Sequence, residues 1–120
     1  IMYYNVSMRL WKNLLEKERA NTSRLNDGKL CHLLCNVANL MIKQGNYQSA
    51  EELYKEIIAI AEKDTADNFE IIELGARGNN AMGNIRYEDR SFTEAIQYYE
   101  TALELRKKNH QVNKKKRRNR

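Results

Sequence analysis

Tyr47-Gln48-Ser49-Ala50-Glu51-Glu52-Leu53-Tyr54-Lys55-Glu56-Ile57-Ile58 decides how this chain folds, because its skeleton occurs three times. Reduced to Tyr47-x-x-Ala50-x-x-x-Tyr54-x-x-Ile57-Ile58, it returns as Phe92-x-x-Ala95-x-x-x-Tyr99-x-x-Ala102-Leu103 and, upstream, as Tyr4-x-x-Ser7-x-x-x-Trp11-x-x-Leu14-Leu15. An aromatic, a small residue, a second aromatic and an aliphatic pair at fixed offsets specify stacked structural units rather than one closed core. Stacked units bind along a surface, so the functional question is which partner the chain holds.

Outward from this phrase, helical periodicity predicts five segments. The first, Val6 to Arg19, places Leu10, Trp11, Leu14 and Leu15 on one stripe and ends near Asn21-Thr22-Ser23. A turn around Asn26-Asp27-Gly28 precedes the second, Lys29 to Gln44, with Leu30, Leu33, Leu34, Val37, Ala38 and Met41 at spacings of three and four. Gly45-Asn46 stops it, since both residues tolerate the left-handed conformation that ends helices. The third, Tyr47 to Lys63, buries Ala50, Leu53, Tyr54, Ile57 and Ile58. Asp64-Thr65 reads as the break and the next cap. The fourth runs from Ala66 to Glu88 with Ile71, Ile72, Gly75, Met82 and Gly83 inward, and the fifth from Phe92 to Asn109. Short turns between such segments make them antiparallel hairpins packed side by side. The small residue of each phrase, Ser7, Ala50 or Ala95, lets a neighbouring helix come close, and the aromatic four residues on covers the gap.

The chain has 120 residues and no proline, which suits one helical domain. It contains neither a membrane-length apolar run nor a signal segment, so a cytoplasmic protein is expected, with the nucleus as the other compartment. Cys31 and Cys35, four apart on a helix, point in parallel and read as buried small hydrophobes in a reducing compartment. With His32 they fit no common zinc pattern, so no metal or other cofactor is expected. The net charge of +5 is unevenly distributed. Residues 106–120 hold nine Lys or Arg and no acid, which leaves twelve basic against sixteen acidic residues in the rest. The body is mildly acidic and residues 110–120 are expected to form a disordered basic tail.

At these residues the chain resembles the tetratricopeptide repeat family. The match includes Val37-Ala38 and Gly45-x-Tyr47-x-x-Ala50-x-x-x-Tyr54-x-x-Ile57, then Met82-Gly83 and Phe92-x-x-Ala95-x-x-x-Tyr99-x-x-Ala102. The resemblance implies an all-α, right-handed solenoid fragment over residues 1–109: a half repeat at 3–20, a repeat at 29–63 and another at 66–109. The phrases lie 43 and 45 residues apart, against a usual family period of about 34. Longer helices and a longer connection between hairpins are expected to absorb the difference. Such long repeats resemble those of kinesin light chains and of the Leu-Gly-Asn repeat proteins. Glu62 and Lys107 stand where the family often has a repeat-ending proline, as if the second helix ran on. The first phrase has no helix ahead of it to pair with, so the chain is expected to be cut from a longer protein or to be an unusually short relative. Its first helix, with Trp11 and Leu14 uncovered, is then a candidate for self-association.

In the resembled family the first helix of each pair lines a concave groove in which peptides or helices lie. Carried over residue by residue, the resemblance selects His32, Cys35, Asn39, Ile42 and Lys43, then Arg77, Asn80, Asn84, Tyr87 and Glu88. The residues themselves support the polar members: Arg77, Asn80, Asn84 and Glu88 follow a three-four-four spacing, one stripe on a helix. Asparagine amides both donate to and accept from a peptide backbone, holding it without reading its sequence. The competing reading is a solvated helix face, or asparagines bonded within the helix pair. A clamp for the terminal carboxylate of chaperone tails, known in some relatives, is disfavoured because Cys35 stands where a lysine is wanted.

Lys114-Lys115-Lys116-Arg117-Arg118 has the density of a nuclear import signal or a phosphate-binding arm, against a plain reading as a solubilising terminus. Without aromatics, nucleic-acid binding there is expected to be nonspecific and salt-sensitive. Enzyme chemistry has little footing, because neither His32 nor His110 has a nucleophile and an acid at recognisable spacing, and no glycine-rich phosphate loop occurs. The expected function is therefore a non-enzymatic scaffold or adaptor that binds a protein or peptide. The alternative is a basic-tailed adaptor for nucleic acid or an anionic surface.

Overall fold

In the computed structural model the described residues are 2–20 and 27–118, the side chains of residues 2–5 and of Lys116 excepted. They form five α-helices: α1 (Met2–Ala20), α2 (Asp27–Lys43), α3 (Tyr47–Lys63), α4 (Phe69–Glu88) and α5 (Phe92–Arg118). The break expected at Asn21-Thr22-Ser23, Asn26 of the following turn, the side chain of Tyr4 and Arg120 lie outside the described residues.

Each helix packs on the next, and α2 also touches α4, so the first helices of both hairpins share one side of the stack. The molecule measures 49 × 37 × 21 Å; the shortest dimension is about two helix diameters, as a two-layer array requires. The core runs through the middle of it. Leu34, Val37 and Ala38 of α2, Ala50, Tyr54 and Ile57 of α3, and Leu74 and Met82 of α4 are all buried.

The two hairpin turns are built alike. Asn46 N–H donates to Met41 C=O and Ser91 N–H to Arg86 C=O, both at 2.8 Å, while Gly45 and Arg90 donate to Ile42 and Tyr87, both at 3.0 Å. This pair of bonds closes a helix on a left-handed residue, here Gly45 at φ 78° and Arg90 at φ 64°. Close approach inside the stack depends on missing side chains. A Cβ on Gly75 would lie 2.6 Å from Ala61 Cβ, and one on Gly83 2.6 Å from the Tyr99 ring.

Four sequence expectations need correction. The inward stripe of α1 is Met8, Trp11 and Leu15, with Met8 and Leu15 buried, whereas Val6, Leu10 and Leu14 form a second, exposed stripe. Six apolar residues on two faces allow either phase, and contact with α2 selects one. Asp27 and Gly28 belong to the first turn of α2 rather than to a preceding turn. The cap of α4 is Asn68, whose Oδ1 accepts from Glu70 N–H and Ile71 N–H. Asp64 instead organises the connection, accepting from Ala66 N–H and Asn68 N–H. Finally, residues 110–118 continue α5 as helix. An established helix extends without a new nucleation cost, and Lys, Arg and Gln are good helix formers. The extension is also anchored: Asn109 is buried and donates to Phe69 C=O at 3.0 Å, and Lys108 pairs with Asp67 at 3.3 Å.

Candidate functional site

Side by side, α2 and α4 leave a cavity of about 700 Å³ between them. Helix α4 packs closely on α3 at Gly75 and on α5 at Gly83. Cys35, Asn39, Ile42 and Lys43 line it from α2, and Arg77, Asn80, Ala81, Asn84, Ile85 and Glu88 from α4. Tyr47 and Tyr54 of α3 and Arg106 of α5 complete the wall.

Two hydrogen bonds recur in it at the repeat spacing. The Tyr54 hydroxyl donates to Asn39 Oδ1 at 2.6 Å, and the Tyr99 hydroxyl donates to Asn84 Oδ1 at 2.6 Å. Burial pushes the Tyr54 phenol pKa up, so it remains a proton donor. An amide whose oxygen is engaged from behind turns its N–H₂ outward. Asn39 Nδ2 spends one hydrogen on a weak contact to Cys35 Sγ at 3.8 Å. Asn84 Nδ2 and the amide of Asn80 have no partner among the described residues, so the wall presents unfilled donors to whatever enters.

The remaining chemistry of the wall is ionic. Arg77 leans on Glu73, one turn back on α4, at 3.4 Å. Lys43, Arg106 and Glu88 are in no ion pair among the described residues. The thiols take no part. Desolvation, reinforced by the Asp27 carboxylate, pushes Cys31 up to about 12. Burial also raises Cys35, with Arg77 and the Asn39 hydrogen bond opposing it. Both cysteines are free and buried, and a neutral buried thiol is inert.

Of the sequence-selected residues, Asn39, Lys43, Arg77, Asn80 and Asn84 share this cavity. His32 and Tyr87 do not. His32 is paired through Nε2 with Glu70 in the first turn of α4. Tyr87 sits around the end of α4, where its ring meets Phe92 edge-on at 5.3 Å. Lys114, Lys115, Arg117 and Arg118 are exposed on the last turns of α5; nothing is described of the Lys116 side chain.

Sequence reasoning missed Tyr47, Tyr54, Ala81, Ile85 and Arg106. The repeated phrase implies packing alone for Tyr54, which its ring does while its hydroxyl reaches the site. Arg106 was counted with the basic tail, although it follows Tyr99 by seven residues and so shares that helix face.

Two family models, each described as a tetratricopeptide repeat, match residues 30–63 and 76–109. Together they cover more than half of the chain, and each takes in one helix pair. Residues 64–75, the connection and the first turns of α4, fall between the matches and accommodate the lengthened period. No curated protein and no solved structure matches the chain.

Proposed function

Because the chain belongs to the tetratricopeptide repeat family, whose repeats generally mediate protein–protein interaction, we propose that it is a non-enzymatic scaffold that holds an extended peptide between α2 and α4. The observation that carries this reading is the repeated tyrosine–asparagine bond. Two amides 45 residues apart in sequence are turned the same way by equivalent tyrosines. Amides on the outer face of a helix need no such support to be solvated. Fixed donors match the carbonyls of a main chain, which every peptide offers, and pre-orientation removes part of the ordering cost of binding.

The test is selection from a random peptide library with the whole chain as bait. Selected peptides are expected to lose at least about tenfold in affinity to the Asn39→Ala/Asn84→Ala variant, which corresponds to about 1.4 kcal/mol. Asn39→Ala also strips the buried Tyr54 hydroxyl of its acceptor, so Asn80→Ala/Asn84→Ala serves as a second variant that leaves that bond intact. Undiminished binding by a folded Asn80→Ala/Asn84→Ala protein, judged by circular dichroism, sinks the reading.

A further inference from the structure

Resting on that reading, we infer that the groove selects an acidic segment whose apolar side chain, at one end, seats on the exposed Tyr87–Phe92 corner. The first argument is charge complementarity. Three cations, Lys43, Arg77 and Arg106, line the cavity against one carboxylate, Glu88. Glu73 offsets part of Arg77, but Lys43 and Arg106 have no carboxylate partner among the described residues. The excess is local in the sequence as well: up to Glu104 acids outnumber bases, sixteen to twelve, and the chain's net positive charge comes from residues 106–120, of which Arg106 faces the recess. A cationic recess repels basic and attracts acidic chains, and low-dielectric walls concentrate the effect.

The second argument is continuity. A neighbouring recess is lined by Tyr87, Glu88, Arg90 and Phe92, so Glu88 borders both spaces. Tyr87 is 57% and Phe92 51% exposed although their rings touch. An exposed aromatic pair flanked by an arginine has the composition of an interface anchor, where rigid rings bury much area at low entropic cost. From Arg77 to Glu88 the α4 stripe spans about 16 Å at 1.5 Å per residue. An extended segment covers that in about five residues. A short acidic run with a Leu, Ile or aromatic residue at its end therefore fits the combined length.

The library-selected peptides that require Asn84 provide the test. They are expected to be enriched in Asp and Glu, with an apolar residue near one end, and to bind Lys43→Gln/Arg106→Gln at least tenfold more weakly. Their affinity should fall as salt rises, and Tyr87→Ala should abolish the preference for an apolar over a glycine end. Peptides that need Asn84 but lack acidic enrichment, or bind the charge variant as well, overturn the inference and leave the proposed function standing. Peptides indifferent to both sets of variants overturn both. A twenty-residue single-stranded oligothymidylate is the competitor: displacement of the peptides at micromolar concentration would assign the cations to nucleic acid and overturn the inference, and failure to compete supports it.

Discussion

Arg90 shows how one residue can carry a repeat geometry against its own preference. With Ser91 it closes α4 by the same pair of hydrogen bonds that Gly45 and Asn46 make at the end of α2, at nearly the same positive φ. For a residue with a Cβ this conformation costs about 1 kcal/mol or more, whereas glycine adopts it freely. Arg90 is exposed and makes no hydrogen bond or ion pair among the described residues that a glycine would lose. Arg90→Gly is therefore expected to raise stability by about 0.5–1 kcal/mol, read as a shift of the urea midpoint at constant slope. A lower midpoint would mean that the guanidinium contributes something its geometry does not show. Its neighbour Arg86 is the opposite case. It bridges Glu51 of α3, Asp89 at 3.1 Å and Glu94 of α5 at 3.1 Å, tying three helices at one point.

Among the elements, α4 is approached closely by both neighbours, by α3 at Gly75 and by α5 at Gly83, and its glycines are not equivalent. At Gly75 an added Cβ meets the Ala61 Cβ at 2.6 Å, an atom fixed to the backbone of α3. At Gly78 the nearest atoms are 3.4–3.6 Å away, an ordinary contact distance. Gly75→Ala is expected to destabilise by about 1–3 kcal/mol through overpacking. Gly78→Ala should stabilise by up to about 1 kcal/mol, the gain in helix propensity. Thermal melts of the two variants decide it: equal shifts of the same sign would contradict the asymmetric contact of α3 with α4.

Elements of this kind were legible in the sequence where the apolar pattern had one solution. The repeated phrase fixed the bounds of α3, and the small residues Ala50 and Ala95 are buried as their positions imply. It failed where two solutions compete or where charge was weighed without context. On α1, Val6, Leu10 and Leu14 alternate with Met8, Trp11 and Leu15, and only the partner helix breaks the tie. On α5, a high density of lysine and arginine argued for disorder, while the anchor that overrides it, Asn109 to Phe69, is a contact across 40 residues. The groove shows the same division. Asn39, Asn80 and Asn84 follow from helical spacing, but the tyrosines that orient two of them belong to the other helix of each pair, and no single-helix pattern reveals that.

At the scale of the whole molecule, stability is distributed by position in the stack. In a quasi-one-dimensional array each helix is held by its neighbours, so interior helices gain two interfaces and terminal ones a single interface. Here α3 lies between α2 and α4, and α4 between α3 and α5. By contrast α1 rests mainly on α2, and the Arg19–Glu56 ion pair at 3.0 Å links it to α3. Both residues of that pair are 42% exposed, and an exposed pair contributes about 1 kcal/mol at most. Beyond Asn109, α5 has no buried residue among those described, only the half-buried Val112 and Asn113. Local opening should therefore begin at both ends and reach the centre last. Native-state hydrogen exchange is expected to show amides of α1 and of residues 111–118 exchanging at least about tenfold faster than those of α3 and α4, a difference of about 1.4 kcal/mol in opening free energy. The groove lies between α2, which packs on α1, α3 and α4, and α4, which belongs to this protected centre, so its asparagines should stay in register while the ends fray. Uniform protection from α1 to α5 would instead mean that the stack opens as one cooperative unit, with no end less stable than the middle.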